Sequence, residues 1–144
     1  MELQTSRFGT ITVEEDMIYS FSNGIPGFEG ENSFILISPE EDKPLSYLQS
    51  VNNGDLAFII TDPFVFYPEY DFELPESAIA DLEIESVDQV IIQSIISING
   101  DMEAATMNLI APIVINTNNR VGKQVVLGNV SYTTKHPLFA LADK

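Results

Sequence analysis

The sequence predicts a mainly β fold: one antiparallel, β-barrel-like domain over residues 1–144, with one or two short helices. Three observations lead there. Apolar runs of strand length are separated by turn-forming residues roughly every ten positions. The longest run, VDQVIIQSIISI (87–98), is rich in β-branched residues and is followed by Asn99-Gly100, a preferred two-residue hairpin turn. No repeat, linker or low-complexity segment interrupts the chain, and successive hairpins in a chain of 144 residues close as a barrel or a sandwich.

The elements follow in order. LQTS (3–6) and TITV (10–13) flank RFG as a first hairpin, and MIYSF (17–21) follows an acidic break. SNGIPGFEGEN (22–32) is a Gly- and Pro-rich loop. SFILIS (33–38) is a strand, PEEDKP (39–44) a turn, and PLSYLQSV (44–51) a short helical turn started by Pro44. LAFIIT (56–61) is a strand. PESAIADLEI (75–84) opens on Pro with acids in its first turn, the pattern of a helix start. After the 87–98 strand, EAATMNL (103–109) returns. APIVIN (111–116) is a strand that Pro112 places at an edge or bulge, TNNRVGK (117–123) is a turn, and QVVLGNVSYTT (124–134) is the last long strand.

Six Lys and Arg face 22 Asp and Glu, a formal charge of −16. No cation lies between Lys43 and Arg120, although that stretch carries twelve Asp and Glu between Asp55 and Glu103. Such a balance opposes direct nucleic-acid binding, which needs Lys and Arg against phosphate, and opposes an anionic membrane surface. It favours a basic partner; the competing reading is that the acid only maintains solubility. There is no Cys, hence neither disulfide framework nor thiol chemistry. The opening MELQTSRFGTITVEED lacks a basic region followed by an apolar one, so no signal peptide is expected, and the apolar runs are too short to span a bilayer. The expected location is the cytoplasm.

No catalytic residues, metal ligands or cofactor site emerge. The single histidine, His136, has no evident triad around it, and one His without Cys does not suggest zinc. Glu14-Glu15-Asp16 and Glu40-Glu41-Asp42 read as solvated turns, and no calcium-loop pattern occurs. Gly24, Gly27 and Gly30 lack dinucleotide spacing, Gly122-Lys123-Gln124 is not a phosphate loop, and Asn129-Val130-Ser131 falls in an expected strand. The chain therefore reads as a binding module, not an enzyme.

Three stretches in order, NGIPGFE (23–29), TDPFVFYPEY (61–70) and MNLIAPIVIN (107–116), followed by QVVLGNVSY and HPL, resemble the flagellar assembly factor FliW family over nearly the whole chain. The resemblance implies a non-enzymatic β-barrel-like protein with two partners. One is CsrA, a small basic RNA-binding dimer that represses flagellin translation; the other is flagellin, which competes for the factor and frees CsrA again. The acidic, cation-free middle of the chain independently suits a basic partner.

Candidate contact residues follow. TDPFVFYPEYDFELP (61–75) carries five aromatics and reads as part core, part docking surface. If residues 64–67 are extended, Phe64 and Phe66 share a face, Tyr67 faces away, and Pro68 re-aims Tyr70. Asp62, Phe66, Tyr67, Glu69, Tyr70 and Asp71 are the contact candidates, with Phe64 and Phe72 favouring the core. Ile25 and Phe28 are candidates in the first loop, although burying the Phe28 ring would pin that loop. Asn108, Pro112 and Asn116 complete the set: the Asn side chains otherwise cap strand ends, and an edge at Pro112 would accept a flagellin segment by strand addition. A small-ligand carrier on a closed barrel is the main alternative, with a glycosidase-like use of two carboxylates behind it.

Overall fold

The computed structural model describes residues 2–21, 25, 28, 30–38, 45–98, 105–128 and 131–137. The first two strands, β1 (Glu2–Thr5) and β2 (Gly9–Thr12), form the expected hairpin as a sheet of their own. Its turn is fixed by the Thr5 hydroxyl, which donates to the Gly9 carbonyl and accepts from the Phe8 N–H, both at 2.8 Å. The remaining strands are β3 (Tyr19–Ser20), β4 (Ser33–Ile37), β5 (Leu45–Ser50), β6 (Ala57–Thr61), β7 (Val90–Ser97), β8 (Thr106–Met107), β9 (Ile113–Asn116), β10 (Val121–Gln124) and β11 (His136–Pro137).

Seven of these close a barrel in the order β3, β4, β5, β6, β7, β9, β10 and back to β3. Every pairing in the ring is antiparallel except the closing one, where Val121 of β10 lies parallel to Ser20 of β3. β7 is long enough to serve two partners along one side. Its first half, Val90–Gln93, pairs with β9, and Ile96 and Ser97 pair with β8, which in turn carries β11.

Alternation decides what fills the barrel. Paired residues share a face, so Leu36, Leu48 and Phe58 line up inward, as do Ile91 with Ile115 and Ile60 with Ile95. With Phe21, Ile25, Phe34 and Ile113 they pack the axis as one cluster. Phe21 is pressed against Gly122, where an added Cβ would lie 2.5 Å from the ring; only glycine fits opposite it.

The outward apolar residues are covered in three patches. The β1–β2 hairpin buries Ile35 of β4 beneath Leu3 and Val13. The helix α2 (Glu76–Asp81) and residues 125–127 cover Val114, Val90 and Ile92. The aromatic segment 66–72 covers Ile59, Ile96 and Met107.

Four expectations are corrected. Residues 45–50 form a strand, not a helical turn, because β4 and β6 pair with them on both sides and tertiary pairing overrides the Pro44 start. Residues 63–66 are helical rather than extended, for a reason given below. β9 is no edge: β10 and β7 flank it, Ile113 and Ile115 are inaccessible, and Pro112, also buried, sits just before its first residue, where the missing N–H costs nothing. A strand-addition site there is thereby removed. Finally, the strand expected over 124–134 is not one: β10 occupies Val121–Gln124, beginning inside the expected turn at 117–123, and no strand continues among the described residues from 125 to 134. Val125 and Leu127 continue the alternation, but their N–H groups reach Pro112 and Ile110 (2.9 and 2.8 Å) in a segment that is not itself a strand. The expected turns at 39–44 and 99–100, and Asn129, lie outside the described residues.

Candidate functional site

The aromatic stretch begins with a helix of one turn, α1 (Pro63–Phe66). Asp62 caps it, its carboxylate accepting the Phe64 N–H at 2.9 Å, and Pro63 stands at the first helical position, where no N–H is needed. Asp-Pro is thus a helix-start pattern within the sequence, and it was outweighed by the expectation of a strand. The consequence is a different distribution of side chains. Phe64 and Val65 point outward, 38% and 60% exposed, while Phe66 packs partly against the wall of Ile96 and Met107.

Tyr70 turns inward. It is 4% exposed, and its hydroxyl donates to the Leu109 carbonyl at 2.7 Å. Its ring meets Tyr132 edge-on at 4.8 Å, and Phe64 and Phe72 lie tilted against it at 5.5 and 5.2 Å. Burial, with the Tyr132 phenol beside it, raises the Tyr70 pKa far above that of a free phenol; burial raises that of Tyr67 as well. Both stay neutral donors. The Tyr67 hydroxyl donates to the Pro137 carbonyl at 2.6 Å, and the Tyr132 hydroxyl accepts the Asp71 N–H at 3.0 Å. This strap, residues 66–72, therefore holds the C-terminal segment through two phenols. Between them opens a cleft of about 420 Å³ lined, among the described residues, by Phe66, Tyr67, Pro68, Glu69, Tyr70 and Tyr132, with one carboxylate and no cation among them.

His136 closes this cluster from the side of β11, edge-on to Tyr67 at 5.5 Å and Tyr132 at 5.8 Å. Its Nε2 accepts the Thr133 N–H at 2.8 Å, a role open only to the neutral ring. Burial lowers its pKa below the ordinary imidazole value of 6.5. The sign follows: the folded state holds the proton less tightly than the unfolded one, so this contribution to stability is complete above pH 6.5 and is lost as pH falls from there to the folded pKa. An NMR titration of this sole histidine is expected to give a midpoint below 6.5, with Tyr132 ring resonances moving in step. A midpoint at or above that value would contradict the hydrogen bond.

The predicted contact residues divide. Asp62, Glu69 and Asp71 are exposed, Phe66 and Tyr67 half-buried, and all five surround the cleft or its helix. Phe28 is 42% exposed and stacks edge-on to Phe58 at 5.2 Å, whereas Ile25, 2% exposed, is the residue that pins the loop into the barrel core. The expected burial of the Phe28 ring is therefore reversed. Tyr70, Pro112 and Asn116 are buried as well, so a surface position does not hold for them or for Ile25. Asn116 is wholly structural: its amide donates to the Leu82 carbonyl at 2.8 Å and its oxygen accepts the Asn118 N–H at 3.0 Å. Asn108, half-buried, likewise accepts the Ala111 N–H at 3.0 Å. Missed in the sequence were Val65 and the pair Tyr132 and His136, which only the pairing of β11 with β8 brings to the strap.

Among the described residues one ion pair forms, Lys123 with Asp81 at 2.6 Å. Arg7 and Arg120 lie over the rings of Tyr47 and Tyr19 at 4.9 and 4.6 Å. Most of the described carboxylates thus have no cation among the described residues beside them. Among the same residues no group of three His, Asp or Glu is gathered as a metal site, and no helix is long and apolar enough to cross a membrane.

Comparison with known proteins agrees with this architecture. The family described as FliW protein matches residues 2–138. The flagellar assembly factor FliW of Bacillus licheniformis is 43% identical over 138 residues, covering 96% of both chains. That of Caldanaerobacter subterraneus is 46% identical over 140 residues, 96% of this chain and 93% of the relative. A crystal structure titled as the flagellar assembly factor FliW superposes with a TM-score of 0.92 at 38% identity, covering 97% of this chain and 98% of that one. With a family match across nearly its whole length and relatives of this similarity, the chain belongs to the FliW family of flagellar assembly factors.

Proposed function

We propose that the protein is a non-enzymatic, cytoplasmic regulator of flagellar assembly that docks two proteins in alternation. One is the basic translational regulator CsrA, whose repression of flagellin synthesis it relieves; the other is flagellin, which displaces it. Family membership supports the assembly role. The observation that carries docking is the surface of α1 and its strap: Phe64 and Val65 exposed beside an aromatic cleft, with Asp62, Glu69 and Asp71 around it and no cation among the described lining residues. Exposed apolar rings and carboxylates together suit a partner that brings both aliphatic and basic side chains. The carrier alternative needs a cavity along the barrel axis, and Phe21, Phe34, Leu48, Ile60, Ile113 and Ile115, all at 0% exposure, occupy that axis.

Calorimetric titration with CsrA and with flagellin tests the reading. Both are expected to bind, CsrA more weakly as salt rises, and flagellin to displace bound CsrA. The double variant Val65→Asp/Glu69→Lys is expected to weaken binding of at least one partner by about tenfold, or 1.4 kcal/mol, without moving the melting temperature. Full affinity for both partners in that variant, or none for either in the parent, rejects the proposal.

A further inference from the structure

We infer that a groove along α2 is a second docking site, and that its occupant is an amphipathic segment of another protein, aliphatic on one face and flanked by Lys or Arg. The groove, about 580 Å³, has Ile84 and the outward residues Val90 and Ile92 of β7 for a floor, Leu74 and Ile79 for walls, and Glu73 and Glu76 on its rim. It continues past Glu73, Leu74 and Glu76 into a cleft of about 600 Å³ that reaches Asp71, Phe72 and Gly128. Ile79, 38% exposed, stands on the helix at its lip, and the other apolar residues are only half-buried. The barrel wall is thus incompletely covered here.

Charge selects the occupant. Glu73 and Glu76 are exposed and belong to no ion pair among the described residues; Lys123 is engaged with Asp81 at the other end of α2. An aliphatic side chain laid on Leu74, Ile79 and Ile92 brings its neighbours within reach of those carboxylates, so Lys or Arg beside it is attracted and Asp or Glu repelled. A second copy of this chain does not fit that rule. Two-fold pairing would set the same carboxylates against each other between molecules of charge −16. The groove is distinct from the cleft beside α1, which is lined by Phe66 to Tyr70 and Tyr132, although its extension reaches Asp71 next to Tyr70.

Fluorescence anisotropy with a labelled amphipathic leucine–lysine peptide reads the site directly, with a leucine–glutamate peptide as its counterpart. The full chain is expected to bind the first and not the second. Glu73→Lys/Glu76→Lys should weaken binding by about tenfold, whereas Glu2→Lys/Glu15→Lys, which changes the net charge equally at distant exposed positions, should change it by less than about twofold. Ile79→Ser should weaken it several-fold with no change in circular dichroism. Equal losses from the two charge pairs, or full binding by Ile79→Ser, would overturn the site. So would a dimer in sedimentation that Ile79→Ser dissociates, since a second copy would then be the occupant.

Discussion

Tyr70→Ala will destabilise the protein by about 3–5 kcal/mol and lower its melting temperature by roughly 10–15 °C. The ring is 4% exposed and is the centre on which Phe64, Phe72 and Tyr132 pack. Its removal leaves a void beneath the strap and an unpaired Leu109 carbonyl. The comparison with Tyr70→Phe separates these two losses, since the ring stays and only the hydroxyl goes; about 1–2 kcal/mol is expected. Chemical denaturation of both variants provides the check. A loss below about 1 kcal/mol for the alanine variant would mean that the strap does not depend on this residue. The cleft beside α1 should be reshaped with it, because Tyr70 is part of its lining.

Asn116→Ala is the second large effect, at about 2–4 kcal/mol. The side chain is inaccessible and holds two structures together. On one side it donates to the Leu82 and Glu83 carbonyls, at 2.8 and 3.3 Å, where α2 ends in a left-handed residue, Glu83 at φ 54°. On the other it accepts the Asn118 and Asn119 N–H groups, at 3.0 and 3.4 Å, and so shapes the turn from β9 to β10. The alanine variant leaves the buried Leu82 carbonyl without this partner and removes the acceptor that shapes the more exposed turn at Asn118 and Asn119. Hydrogen exchange should show faster opening of residues 82–84 and 117–120 before the rest of the barrel; uniform protection across both would contradict this double role.

The barrel was legible in the sequence wherever a strand carried its own boundary. The first hairpin, β4, β6, β7 and α2 all follow from local alternation, turn residues or a helix start. Residues 45–50 were not legible, because what makes them a strand is pairing with two neighbours, a long-range fact. Asp62-Pro63 was a local signal that lost to a plausible strand pattern. The candidate contacts fared according to depth. The acids Asp62, Glu69 and Asp71 lie at the surface, as charge alone requires, but the direction of an aromatic ring depends on the partner across the strap. Tyr70 faces inward because Leu109 offers a carbonyl, and Leu109 is 39 residues away in sequence.

The parallel seam between Ser20 and Val121 sets the order in which this molecule comes into being. A nascent chain that has left the ribosome only as far as β7 holds a curved sheet with two unsatisfied margins, one at β3 and one at β7. Neither can be sealed until β9 and β10 are synthesised and slip between them. Closing the barrel therefore requires pairing residues about a hundred positions apart, a non-local contact of the kind that slows folding. Until that moment the open margins are exposed to other strands, and this is when the chain is most vulnerable to misassembly.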